Sequence, residues 1–304
     1  MCAPILLAMN TSHQAPVAVV TGANSGIGRA TALHLAQHGY TVFGTVRALN
    51  KADKLLAKAS ELGVTIELVE MDVADDDSVR TGFADIMRKV SHIDVLVNNA
   101  GIGGNGVTEE CTPAQYHESF NVNVVGAIRC TQQVLPGMRA RKTGTIINIT
   151  SIVGRIAALA QSPYVASKWA FEGVSEGLAQ EVAPFGIRVA IIEPGVTRSS
   201  IFSKNIEAPN STGAYDTHYR RMFQFYAAGI ANATPAEEVG ALILHAINTD
   251  TPQLRYPCSW GGQEIVDGRA AMTDEQWVEL GAVQDDPAYF QAFKSSFGVD
   301  ISNS

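Results

Sequence analysis

The sequence predicts an α/β protein built on a doubly wound parallel sheet, and three observations carry that prediction. Short runs rich in valine and isoleucine alternate with stretches of helical spacing along most of the chain, the pattern of strand–helix units winding around one sheet. The first run, Ala15–Val20, leads at once into a glycine-rich turn, Thr21-Gly22-Ala23-Asn24-Ser25-Gly26-Ile27-Gly28, and then into helical spacing over Arg29–His38. Finally, 304 residues of which 46% are hydrophobic suffice for one large α/β domain without a second.

Strands are expected at Val17–Val20, Thr41–Val46, Thr65–Met71, Ile93–Val97, Gly144–Ile149 and Ile187–Ile192. They read as mostly apolar rather than alternating, as parallel strands covered on both faces do. A seventh at Leu254–Pro257 is kept short by Pro252 and Pro257. Helices fall between them at Gly26–His38, Ala52–Leu62, Asp76–Val90, Thr112–Arg139 and Ser162–Ala183. Pro163 suits the first turn of the last of these, having no N–H to donate. A further helix at Pro235–Ile247 has Thr234 as its expected cap, with Glu237 completing a capping box. Residues 1–14 read as a flexible extension, because Met1–Ala8 is apolar but lacks the positive residues and length of a secretion signal. Residues 15–304 read as a single domain, with no repeat, low-complexity tract or linker.

Composition narrows the function. A net charge of −8 argues against nucleic acid, whose binding needs basic patches. No apolar stretch reaches the length of a membrane span. The cysteines, Cys2, Cys111, Cys130 and Cys258, are scattered without Cys-x-x-Cys spacing, which suits free thiols in a reduced cytoplasm. The histidines form no metal signature, and no metal is expected.

The chemistry-bearing residues stand at strand and helix ends. Strand, glycine turn and helix together present backbone N–H groups and a helix N-terminus to a pyrophosphate. Tyr164 and Lys168, four apart, share one face of their helix. A phenol is a poor base near neutrality, and an adjacent ammonium is expected to favour its phenolate, so the pair could shuttle a proton. Ser151 follows the strand Gly144–Ile149 and so lies at the sheet's carboxyl end, where open sheets bind ligands. Its hydroxyl could steady charge developing on a substrate oxygen.

In order and spacing these features resemble the short-chain dehydrogenase/reductase family over nearly all of residues 15–250. Thr21-Gly22-x-x-x-Gly26-x-Gly28 resembles its cofactor turn, Asn98-Asn99-Ala100-Gly101 its strand-four motif, and Pro194-Gly195 its turn after strand six. Asn123, Ser151, Tyr164 and Lys168 occupy its catalytic tetrad, Ser151 thirteen residues before Tyr164. The resemblance implies a Rossmann-type sheet with helices on both faces and a substrate lid after strand six. It implies that Lys168 holds the nicotinamide-ribose hydroxyls and that Asn123 kinks its helix and holds a water. Asn121 is the rival for that last role. It also implies a cofactor groove made of Gly22, Asn24, Ser25, Gly26, Ile27, Gly28, Asn99, Ala100, Gly101, Pro194, Gly195 and Val196. Asp72 and Val73 resemble the adenine-binding pair, and Ser199 stands where relatives often have a carboxamide-binding Thr.

Cofactor choice is read after the second strand. NAD-preferring enzymes place an acidic residue there; here the position is Val46, and Arg47 follows. A guanidinium can clamp a 2′-phosphate, so NADP(H) is expected ahead of NAD(H), although Asn24-Ser25 lacks the basic residue many NADP-preferring relatives carry. The lid, about residues 197–228, holds Phe202, Tyr215, Tyr219, Met222, Phe223, Phe225 and Tyr226, which suit either a broad apolar pocket or subunit packing. It is expected to order when ligands bind. The runs Phe171–Gly177 and Ile192–Gly195 look closest to the hydroxysteroid and retinol dehydrogenase-like branch. The expected activity is alcohol/carbonyl oxidoreduction on a small apolar substrate. The alternatives are an epimerase or dehydratase with bound NAD, or a catalytically silent dinucleotide sensor. A homodimer or homotetramer is expected through the helices Thr112–Arg139 and Ser162–Ala183, with Trp169 as a candidate anchor. The tail, about 258–304, has no assigned role.

Overall fold

The computed structural model describes residues 15–199 and 208–302. Strands β1 (Val17–Val20), β2 (Thr41–Val46), β3 (Glu67–Glu70), β4 (Val95–Asn98), β5 (Gly144–Ile149), β6 (Ile187–Pro194) and β7 (Arg255–Cys258) form one sheet in the order β3-β2-β1-β4-β5-β6-β7. Every pairing is parallel. The chain starts in the middle, winds outward through β3, then crosses back to β4. Strand order therefore reverses between β1 and β4, which opens a crevice at their carboxyl ends.

Side chains alternate between two cores, as the two-residue period of a strand demands. Ala18, Val20, Val95, Val97, Ile147 and Ile192 face one way, against helices α1 (Gly26–Gln37) and α2 (Asp53–Glu61). Val17, Val19, Leu96, Ile146 and Val189 face the other way, with residues of α3 (Asp76–Met87), α5 (Gly126–Arg141) and α6 (Ser162–Val182). Helix α4 (Pro113–Phe120) carries a complete capping box between Thr112 and Gln115.

Three elements depart from the sequence expectation. β3 is shorter than Thr65–Met71, being an edge strand that pairs only with β2. The helix expected over Thr112–Arg139 is interrupted by a π-helical turn at Asn121–Val125, so α4 and α5 are separate. Thr234 does not cap its helix: α8 (Ala236–Asn248) begins after Pro235 with no side-chain cap. Thr234 is instead drawn into a bridge with Thr197, its N–H donating to Val196 (3.2 Å) and its carbonyl accepting from Arg198 (2.8 Å). Two backbone bonds outweigh one side-chain cap.

The region after β6 is more ordered than a loop. Helix α7 (Asp216–Ala231) lies where a long connection is expected, while Phe202 and the rest of 200–207 lie outside the described residues, as do residues 1–14. The tail forms α9 (Gly262–Ala271), α10 (Asp274–Ala282) and α11 (Asp286–Phe297). Their residues Ile265, Leu280, Phe293 and Phe297 build a third core with Ile152, Val153 and Ile156, directly beside Tyr164.

Candidate active site

The glycine turn sits at the reversal point, and its backbone requires glycine twice over. Gly22 and Gly26 have φ of +66° and +54°, a region that costs other residues strain. At Gly28 a Cβ would come within 2.3 Å of Asn99 Nδ2 and 2.5 Å of the Gly22 carbonyl. Ser25 opens α1 without a side-chain cap, and no acidic residue stands in the first turn. The helix's first N–H groups are thus left for another acceptor, and a pyrophosphate fits that need.

Asn99 and Ala100 pack directly against this turn. Thr21 Oγ1 accepts from the N–H groups of both (2.9 Å each), and Asn99 Nδ2 donates to the Thr21 carbonyl (2.8 Å). They brace the turn. Gly101 lies against Asn123, 3.2 Å from a built Cβ to Oδ1. Ser199 closes on the turn from the other side, its Cβ 3.1 Å from a Cβ built on Gly26. Arg47 is exposed at the end of β2 with no ion pair among the described residues. The Asp72 carboxylate accepts from the Ala74 N–H (2.9 Å), and Val73 is buried where Gly126 lets α5 approach it closely. Pro194, Gly195 and Val196 bind the tail through backbone: Gly195 N–H donates to Cys258 (2.8 Å) and Val196 N–H to Trp260 (3.0 Å).

The four candidate catalytic residues converge on the neighbouring strand ends. Asn123 lies in the π turn, where its Oδ1 accepts from Ile102 N–H (2.8 Å) and its Nδ2 donates to the Ile102 carbonyl and to Ser167 Oγ (2.9 Å each). Asn121 turns away, donating to the Ala74 carbonyl and accepting from Arg129. Only Asn123 therefore touches the helix bearing Tyr164 and Lys168. Ser151 opens a short 3-10 turn, and its hydroxyl donates to the Pro194 carbonyl (3.2 Å) and lies near enough to the Tyr164 hydroxyl to lower its proton affinity. Lys168 is buried and donates to the Ile149 carbonyl (3.0 Å).

The electrostatics differ from the sequence expectation. Burial pushes the Tyr164 phenol up to about 12, with the Ser151 hydroxyl opposing it only in part. The residue keeps some accessible surface, but protein encloses its hydroxyl, which is the atom that titrates. Lys168 does not offset this. Its ammonium stands 5.6 Å from the ring centroid and is engaged by a carbonyl, and burial lowers it to about 8 against the opposing charge of Glu172. Desolvation outweighs the charge pairing that the Tyr-x-x-x-Lys spacing suggests.

Two buried polar systems beneath the site escape a reading based on motifs. Glu172, one turn beyond Lys168, accepts from Thr150 Oγ1 (2.5 Å) and Arg255 Nε (3.0 Å). Glu193, fully buried in β6, pairs with Arg155 (3.0 Å) and Arg255 (3.4 Å), while its Oε2 has no hydrogen-bond partner among the described residues. Burial, followed by the nearby Glu172 charge, raises its proton affinity. The signal was a glutamate directly after the apolar run Val189–Ile192. Asn98 and Asn148, register partners on β4 and β5, join Thr131 to Ser175 in a second chain of bonds of 2.8–3.0 Å.

A family model described as short chain dehydrogenase matches residues 16–210. The chain belongs to the short chain dehydrogenase family. Among its relatives is mouse 17-beta-hydroxysteroid dehydrogenase type 1, 34% identical over 251 residues, covering 79% of this chain and 72% of that protein. A short-chain dehydrogenase from Streptomyces avermitilis superposes with a TM-score of 0.78 at 35% identity, covering 90% of this chain and all of the other. A variant of actinorhodin polyketide ketoreductase, solved with NADPH, superposes at 0.66 with 30% identity, covering 77% and 90% of the two chains. Membership in this oxidoreductase family brings a nicotinamide dinucleotide as cofactor, and the likeness to a hydroxysteroid dehydrogenase agrees with the branch expected from sequence. Among the described residues no helix is long and apolar enough to cross a membrane, and no cluster suits a metal ion.

Proposed function

We propose that the protein is an NADP(H)-dependent oxidoreductase interconverting a secondary alcohol and a ketone, or an aldehyde, on an apolar substrate. The observation that carries this reading is the meeting of the Ser151 and Tyr164 hydroxyls beside the buried Lys168, at the carboxyl end of β5. At pH 7 a phenol of pKa about 12 holds its proton, so Tyr164 is set to act as general acid toward a carbonyl oxygen. Ser151 orients that oxygen and steadies its developing charge. The nicotinamide supplies the hydride, and the chain orients substrate and moves the proton. The turn from Gly22 to Gly28 would hold the pyrophosphate, with Ser199 over it, and Asp72 and Val73 would flank the adenine. The same reading includes a homodimer or homotetramer packed through α5 and α6, which Trp169, 49% exposed on α6, supports.

A screen of NADPH and NADH oxidation against steroids, retinal, quinones and aryl ketones tests the reading. Turnover with at least one carbonyl is expected, and none with either cofactor would sink it. Arg47 tests the cofactor. Without an ion pair among the described residues, it is the residue proposed to clamp the 2′-phosphate, and hydrogen bonds to charged groups contribute about 1.5–3 kcal/mol. Arg47→Ala should therefore weaken NADPH by roughly tenfold to a hundredfold and leave NADH nearly unchanged. Equal losses for both would take Arg47 out of the site.

The pH dependence follows from Lys168. Its charge is present below about 8 and is lost as pH rises through that value. Carbonyl reduction should be level near pH 6–7 and decline above 8, if the charge is needed to support the phenolate formed as Tyr164 gives up its proton. Lys168→Arg keeps the charge at every accessible pH and should lose that decline, whatever it does to the maximal rate. An unchanged inflection would assign it to another group.

A further inference from the structure

Beside the candidate catalytic pair the structure encloses a narrow apolar slot whose far wall is made by the tail. Val153, two residues after Ser151, and Gln161, three before Tyr164, are among the residues that line it. Phe225 of α7 lines one side, and Trp277 of α10 and Ile301 close the other. About 60 Å³ inside it admits the centre of a water-sized sphere. A single water needs roughly 10–15 Å³ on that measure, so the slot suits a slender group of several carbons.

Arg221 is the single charged residue in the lining, and its charge is already used. It is 2% exposed, its Nε donates to Asp286 (2.8 Å), and its terminal nitrogen donates to the carbonyls of Val283 (2.8 Å) and Gln284 (3.2 Å). The guanidinium also lies 4.0 Å over the Tyr289 ring. No positive charge remains to attract a carboxylate or phosphate. The same contacts, with Arg220 on the other Asp286 oxygen (2.6 Å), bolt α7 to α11 and hold the two walls together. Gln161, 6% exposed, makes no side-chain hydrogen bond among the described residues, and the other uncharged polar atoms of the lining residues are the Tyr289 hydroxyl and the Trp277 indole N–H.

We propose that this slot binds an unbranched, uncharged alkyl chain carried by the carbonyl substrate, so that the tail helices set chain-length preference. The proposal rests on the reading of Ser151 and Tyr164 as the site of carbonyl reduction. A chain entering past Val153 and Gln161 would bury its methylenes against Phe225, Trp277 and Ile301, while its carbonyl stays at the catalytic hydroxyls.

The test uses the full chain and a series of 2-alkanones from 2-butanone to 2-dodecanone. Turnover is followed by NADPH oxidation. Binding is followed separately by quenching of Trp277 fluorescence with ω-bromo-2-alkanones, with Trp277→Phe as the control that loses the signal. Each buried methylene should raise kcat/KM roughly threefold to fourfold until the slot is full, and quenching should appear at the chain lengths that reach Trp277. Ala158→Phe, which fills the slot from its side, should flatten the series; Ile301→Ala should move the plateau to longer chains, and it decides the matter if the first variant does not fold. A series without length dependence, or a plateau unmoved by Ile301→Ala, overturns the slot while turnover of 2-butanone leaves the reductase reading standing. Length-dependent quenching with no turnover of any carbonyl supports the slot and overturns that reading.

Discussion

Tyr164→Phe is expected to lower carbonyl reduction by about 10²–10⁴, the usual contribution of a positioned general acid. The substitution removes one oxygen and leaves the ring packed beside Ile152, Val153 and Ile156, so the fold should be retained. Cofactor affinity should change little, because the glycine turn lies on other elements and Lys168 keeps its bond to the Ile149 carbonyl. The direction of the effect follows from the phenol's high pKa: a group pushed up to about 12 is a proton donor at neutral pH. Steady-state rates together with a fluorescence titration of the cofactor separate the two properties. A variant that reduces carbonyls as fast as the parent would remove Tyr164 from the mechanism, and one that no longer binds cofactor would make its role structural.

The second large effect is on stability. Arg255→Ala should destabilise the protein by about 3 kcal/mol, the lower end of the cost of leaving buried charge uncompensated, since Arg255 is itself partly exposed. Its guanidinium reaches Glu172, Glu176 and Glu193 at once. Without it Glu172 loses its salt-bridge partner, and Glu193 keeps only Arg155 among the described residues. Burial and the nearby Glu172 charge already raise the proton affinity of Glu193, so the variant should recover stability as pH falls and Glu193 takes up a proton. Denaturant unfolding at pH 7 and pH 5 tests both statements. A loss below about 1 kcal/mol, the value typical of an exposed pair, would show that solvent already screens the cluster.

Much of the site was legible because its residues are bound to local backbone geometry. Gly22 and Gly26 take positive φ, and Gly28 leaves no space for a Cβ, so glycine spacing announces the turn. Tyr164 and Lys168 are linked by a helix period, and Ser151 is placed by the end of a strand. Asn123 and Asn121 could not be separated in this way. They lie two residues apart in a π turn, and only the packing of that turn against Ile102 and against Ser167 of α6 shows which one faces the site.

Helical segments that take their meaning from distant partners were harder to read. Helix α7 is polar enough in sequence to pass for a loop, but the Tyr219 hydroxyl accepts from the Val107 N–H (3.1 Å), Tyr226 donates to Asn105 (2.8 Å) and Tyr215 to Glu109 (2.5 Å). The tail carries no motif, yet its apolar residues meet those following Ser151 to make the third core.

By itself, then, the amino-acid order determined the parallel sheet, the glycine turn and the candidacy of Ser151, Tyr164 and Lys168, because these depend on periods of two and of 3.6 residues and on backbone angles that few residues tolerate. Only the tertiary structure decided the proton affinities of Tyr164 and Lys168, the pairing of Glu172 and Glu193 with their arginines, and the slot shared by α7 and the tail. Those properties come from desolvation and from contacts between residues far apart in the chain, and neither is written in local spacing.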